Sequence, residues 1–144
     1  MNQTGITCGC PPGPLVASLA VRVPWLRKAR IGLRDAVIAR ALGLLHSQPE
    51  YAWTIDELAA AVHVSRSTLV RRFNDLVGEP PATYLTRWRM ELAARLLRES
   101  GQPVGRISHL VGYTSEYAFS RAFRKHRGEP PGRYRKRIKN SLAA

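Results

Sequence analysis

From residue 34 onward the hydrophobic positions recur three and four apart, and the polar positions between them fall where a helix would face solvent. Val37, Ile38, Ala41, Leu42, Leu44 and Leu45 form one such run, closed by Pro49, which predicts a first helix near residues 35–47. Thr54 with Glu57 three residues on is a capping box, and it predicts a short helix through Val62. Ser65 is placed to cap the next helix, expected to run to about Val77 and stop at Gly78. Pro81 suits a first helical turn, where its missing amide proton is not needed, so a new helix begins there. That helix, residues 81–99, is the longest, with Tyr84, Leu85, Trp88, Leu92, Ala93, Leu96 and Leu97 in one apolar stripe. Ser100-Gly101-Gln102-Pro103 ends it, and residues 104–111, 115–127 and 131–138 repeat the short, long, short order. No window alternates with the period of a strand, so the predicted fold class is all-α.

The pattern is written twice. Residues 58–84 (LAAAVHVSRSTLVRRFNDLVGEPPATY) and 107–134 (ISHLVGYTSEYAFSRAFRKHRGEPPGRY) align with Phe73 on Phe123. Ser65, Leu69 and Arg71 then fall on Ser115, Phe119 and Arg121, and the two Gly-Glu-Pro-Pro segments coincide. Each copy reads as a short helix, a tight turn and a second helix with a basic outer face, which is a helix-turn-helix unit. Gly112 takes the turn position that often needs a positive φ, and its counterpart is His63. A non-glycine residue there costs about 1–2 kcal/mol, although histidine is among those enriched in that region. His63 is therefore read as a turn residue ahead of a pH sensor. The expected organisation is a first helix-turn-helix subdomain over 34–79, a linker helix over 80–100 and a second subdomain over 101–140. Residues 1–33 are expected to be an extension, largely disordered or a truncated remnant, with 15–33 compatible with a frayed helix.

Composition sharpens the picture. The chain has 144 residues, enough for one domain or two very small ones, and carries 23 Lys+Arg against 10 Asp+Glu, a net charge of +13. Such an excess favours a polyanionic partner, because phosphate contacts release counterions. Charge alone leaves a ribosomal-type or merely soluble basic protein open. Cys8 and Cys10 are too few for a disulfide framework, which fits a reducing cytoplasm. The longest apolar run, residues 15–21, is far short of a membrane span, and no positive charge precedes it as in a signal peptide. His46, His63, His109 and His126 are scattered without metal spacing, two thiols fall short of a structural zinc site, and no glycine-rich phosphate loop exists. No enzyme activity, cofactor, metal or membrane partner is expected.

The second helix of such a unit lies in the major groove, so it needs one apolar face and one reading face. In the first unit Leu69, Phe73, Leu76 and Val77 should point inward, while Arg66, Ser67, Val70, Arg71 and Asn74 share the opposite side. In the second, Phe119, Ala122 and Phe123 should point inward, while Glu116, Tyr117, Ser120, Arg121 and Arg124 face out. Arg71 and Arg121 are the leading base-contact candidates, since an arginine fork satisfies both acceptors of a guanine edge. Ser67, Val70, Glu116, Tyr117 and Ser120 are further base-contact candidates. Arg66, Arg72, Asn74, Arg124 and Lys136 are phosphate candidates, with solvation of the tail the competing role for the last. Arg89 sits on the apolar stripe of the long helix, and a charge there needs a partner.

Through TIDELAAAVHVSRSTLVRRF (54–73), GEPPATYLTRWRMELAARLL (78–97), PVGRISHLVGYTSEYAFSRAF (103–123) and GEPPGRYRKR (128–137), the chain resembles the AraC family of bacterial transcription regulators. The resemblance covers about residues 35–137. It implies a duplicated, homeodomain-like fold of two helix-turn-helix subdomains joined by a long rigid helix. Both recognition helices would enter successive major grooves of double-stranded DNA, one helical turn of about 34 Å apart. By position, the family's base contacts fall on Ser67, Val70 and Arg71 and on Glu116, Tyr117, Ser120 and Arg121, with Arg66 toward a phosphate. Contact with RNA polymerase is implied as well. Ser108 stands where the family usually has alanine and is expected to loosen the packing slightly. The first helix resembles the subgroup with an N-terminal cupin-like domain, yet fewer than about 35 residues precede it, too few for such a domain. Ligand control and dimerisation therefore do not carry over from the resemblance, and a monomer bound to an asymmetric site is expected. Two rivals are the DNA-binding module of an alkyl-damage repair regulator, which would need a zinc-held cysteine, and a truncated relative that binds DNA weakly or acts as an interaction protein.

Overall fold

The structure, a computed structural model, describes residues 35–144. The expectations for residues 1–33, Cys8 and Cys10 included, lie outside the described residues. Seven α-helices and no strand occur among the described residues: α1 Ala36–Ser47, α2 Ile55–Ala61, α3 Arg66–Val77, α4 Pro81–Glu99, α5 Val104–Leu110, α6 Glu116–Arg127 and α7 Pro131–Ala143. Contacts divide them into two compact units, and the division falls inside α4, between Tyr84 and Leu85.

The first unit holds residues 35–48 and 53–84. Here α1 packs on α2 and α3, and α2 packs on α3. Its core is Ile38, Ala41, Leu42 and Leu45 from α1, Leu58, Ala59 and Val62 around α2, Leu69, Phe73 and Val77 from α3, and Tyr84. Asp35 starts α1 by accepting hydrogen bonds from the amides of Val37 (3.0 Å) and Ile38 (3.2 Å) on one carboxylate oxygen. Its other oxygen pairs with the Arg72 guanidinium of α3. Burial alone would raise the Asp35 pKa, but Arg72 and the two amides outweigh it and hold the carboxyl below its ordinary value. The Thr54–Glu57 capping box opens α2 as expected. Tyr84 sets its ring edge-on to Phe73, with centroids 5.7 Å apart, and its hydroxyl lies 2.5 Å from His46 Nε2.

The second unit holds residues 49–52 and 85–144. Met90, Ala93, Ala94 and Leu97 of α4 pack with Ile107, Val111, Phe119, Phe123 and Tyr134. Phe119, Phe123 and Tyr134 make successive ring contacts, the first tilted and the second edge-on, with centroids 5.8 and 5.3 Å apart. Arg89, the charge on the apolar stripe, finds its partners in main-chain carbonyls. Its Nε donates to Pro49 O (2.7 Å), a terminal nitrogen donates to Tyr51 O (2.8 Å), and the guanidinium lies 5.9 Å from the Tyr113 ring centre. Gly112 is confined doubly: its φ is +94°, and a Cβ there would come within 2.8 Å of both the Arg89 guanidinium and Pro49 O. Ser108 is fully buried, and its hydroxyl donates to Gly105 O at 2.6 Å, so it draws no partner from the core.

Three helix ends are corrected. The last helix was expected to end at Ile138 and continues to Ala143. Apolar periodicity stops at Ile138 because contact with the core stops there. Lys-Asn-Ser-Leu-Ala contains no helix breaker, and the Ser141 hydroxyl donates back to Arg137 O at 3.0 Å. The short helices α2 and α5 end one residue earlier than expected, with Val62 and Val111 as their C-caps.

Candidate nucleic-acid interface

Each unit turns its chain by the same hydrogen-bond scheme. After α2, His63 N donates to Ala60 O (3.2 Å) and Val64 N donates to Ala59 O (3.1 Å). After α5, Gly112 N donates to His109 O (3.0 Å) and Tyr113 N donates to Ser108 O (2.9 Å). This paired closure is a Schellman motif, which requires one left-handed residue past the helix end. His63 at φ 61° and Gly112 at φ 94° are those residues, as the alignment of the repeats predicts. Ser65 and Ser115 then cap the following helices, their hydroxyls accepting from Thr68 N (3.2 Å) and Ala118 N (3.1 Å). Left-handed Gly78 and Gly128 close them.

With both ends fixed, helical period decides which side chains look out. On α3, Leu69, Phe73 and Val77 are buried and Leu76 is half-buried. Arg66, Ser67, Arg71 and Asn74 are exposed on the other side, with Val70 half-exposed among them. On α6, Phe119 and Phe123 are buried, Glu116, Tyr117, Arg121 and Arg124 are exposed, and Ser120 is half-exposed. On each helix, therefore, the residues predicted to face outward share one side. Tyr117 is the most telling residue on its face: a tyrosine 73 % exposed is a large aromatic surface left in water, with the Arg121 guanidinium 5.9 Å from its ring centre. Tyr117, Arg121, Arg124, Lys125 and Gly128 line a shallow depression of about 580 Å³, wide open to solvent and basic on its rim.

The phosphate candidates are placed less uniformly. Arg124 and Lys136 are exposed, and Arg66 is an exposed partner of Asp56 at 3.4 Å, a pairing that contributes little in water. Arg72 is set apart from the others, because its guanidinium is engaged by Asp35 and serves to join α3 to α1. Lys125 joins the basic rim without having been singled out. Its signal was the continuous run Arg124-Lys125-His126-Arg127. Among the described residues no group of histidine, cysteine and acidic side chains could hold a metal ion. No helix among them is long and apolar enough to cross a membrane.

Comparison with known proteins places this geometry. Residues 58–137 match the profile of a helix-turn-helix domain family. A protein of Streptomyces antibioticus named as an AraC-like transcription regulator is 55% identical over 105 residues, covering 73% of this chain and 35% of that protein. The HTH-type transcriptional regulator AlkR of Acinetobacter baylyi is 38% identical over 120 residues, covering 83% of this chain and 38% of that protein. This chain thus spans about a third of the length of the curated relatives it matches. Among solved structures, an AraC-type DNA-binding protein from Chromobacterium violaceum superposes with a TM-score of 0.67 at 27% identity, covering 73% of this chain and 94% of that one. The DNA-binding domain of AdpA, a global transcriptional factor solved with a target DNA, superposes with a TM-score of 0.66 at 31% identity, covering 74% and 92%.

Proposed function

This chain belongs to the AraC family of transcription regulators, and from that premise we propose that it is a sequence-specific regulator reading double-stranded DNA with α3 and α6. One observation carries the reading. Two separately capped helices expose polar faces on which Arg71 and Arg121 occupy the same position. In this reading each arginine forks onto a guanine edge in a major groove, the two grooves being successive along the duplex. Ser67, Val70, Glu116, Tyr117 and Ser120 complete the base contacts. Arg66, Asn74, Arg124 and Lys136 hold phosphates, to which Arg72 adds only what its bond to Asp35 leaves over. The protein acts as a non-enzymatic monomer in the cytoplasm, and its effect on transcription runs through contact with RNA polymerase. The target DNA in the AdpA structure supports DNA as the partner here.

Genomic duplex fragments retained by the purified chain, once sequenced, should share one asymmetric site with two separated blocks of preferred bases. Arg71→Ala and Arg121→Ala should each relax preference at one base pair, by roughly 1–3 kcal/mol, while sparing the other block. If both variants kept full discrimination, the assigned reading faces would be wrong.

A further inference from the structure

The twin units differ in chemistry at one equivalent pair of positions. In the first unit Asp56, near the start of α2, faces Arg66, the first residue of α3, at 3.4 Å. Aligning the scaffold helices on their buried residues, Leu58 with Ile107 and Ala59 with Ser108, puts Gly105 opposite Asp56. Aligning the capping serines puts Glu116 opposite Arg66. A Cβ on Gly105 would lie 2.9 Å from Glu116 Oε2, so the carboxylate fills the volume a side chain at position 105 would take. The first unit therefore opens its reading helix on a cation tied to the scaffold helix. The second opens its own on an anion resting over bare backbone.

An anion on a face that meets DNA is repelled by phosphates, so it must gain elsewhere to be useful. In the major groove guanine offers only the N7 and O6 acceptors, thymine offers the O4 acceptor and a methyl, and adenine sets its amino group beside the N7 acceptor. Cytosine alone presents an amino donor without an adjoining acceptor. We infer that Glu116 selects cytosine for the second unit and that Gly105 is the positioning residue that gives its carboxylate room. The inference rests on the proposed reading of α6 as a groove-filling helix. A methyl at position 105 meets only the far end of a flexible side chain. Gly105→Ala should therefore displace the carboxylate while favouring the α5 helix itself.

The test selects a randomised double-stranded DNA pool with the full chain and its variants, then measures duplexes changed at single base pairs. The chain should retain a cytosine at one position of the second block, and Glu116→Ala should cut that preference about ten-fold with the other positions kept. Glu116→Gln should move the preference toward adenine, whose donor and acceptor match an amide. Gly105→Ala should lower the cytosine preference about three-fold, with Tm and affinity for random duplex kept or raised, and should add nothing in the Glu116→Ala background. Retention of every base preference by Glu116→Ala overturns the cytosine assignment, and an unchanged cytosine preference in Gly105→Ala overturns the positioning role. A pool from which the unsubstituted chain enriches no sequence overturns the groove reading of α6, and this inference with it.

Discussion

His63 is the residue at which backbone strain is most visible, since it holds a positive φ of 61° where the second unit has Gly112. Relief of that strain should outweigh the extra freedom glycine brings to the unfolded chain. His63→Gly is expected to stabilise the protein by about 0.5–1 kcal/mol, read as a higher urea midpoint at unchanged slope. An unchanged or lowered midpoint would show that the left-handed histidine costs nothing here. His46 behaves differently because it is packed against Tyr84. Burial pushes its pKa from 6.5 down to about 4, and burial, with a smaller contribution from Glu79, raises that of the Tyr84 hydroxyl. Below pH 6.5 the unfolded chain protonates this histidine while the folded chain does not, so its contribution is fully present above pH 6.5. It is lost as pH falls toward about 4, and the full swing is on the order of 3 kcal/mol. His46→Gln should flatten urea-derived stability between those limits. An equal slope in both proteins would assign the acid sensitivity to other groups.

At the scale of elements, Asp35 is where one side chain serves two helices. It caps α1 and binds Arg72 of α3, so Asp35→Ala removes a cap of about 1 kcal/mol and a half-exposed ion pair of at most about 1 kcal/mol. Asp35→Asn keeps the cap acceptor and should recover more than half of the loss in chemical denaturation. Equal loss in both variants would put the pair, not the cap, in control. This element also marks the limit of what the amino-acid sequence reveals. Helix starts and stops were legible at Thr54, Ser65, Gly78 and Pro81, because a cap is decided by residues within four positions of one another. The outward faces of α3 and α6 were legible because period alone decides them. The pairing of Arg72 was not legible since its partner lies 37 residues away, and the carbonyl partners of Arg89 lie 40 and 38 residues away. Met90 and Ala94, both buried, escaped the stripe read on α4 because the second unit covers a wider arc of that helix than one row of residues. The meeting of Gly105 with Glu116 was hidden for the same reason, being a contact across a turn and not along a helix.

For the molecule as a whole, the net charge of +13 makes ionic strength the strongest experimental lever. Each cation that neutralises a phosphate adds close to one unit to the slope of log affinity against log salt. Lys136→Ala should therefore weaken all duplexes alike and lower that slope by about 1, whereas Arg121→Ala should alter the ranking of sequences. A Lys136→Ala protein with an unchanged slope would leave that lysine to the solvated tail. The cations of the second unit carry one more consequence. Arg124, Lys125, His126 and Arg127 fill the last turn of α6, whereas the last turn of α3 holds no basic residue. The carbonyl end of a helix carries partial negative charge, so Arg124, Lys125 and Arg127 steady their own helix before any polyanion arrives. Reversing a charge in that turn would thus confound grip with melting. The same exchange late in α3 would leave the two effects separable, and variants of the two copies need different controls.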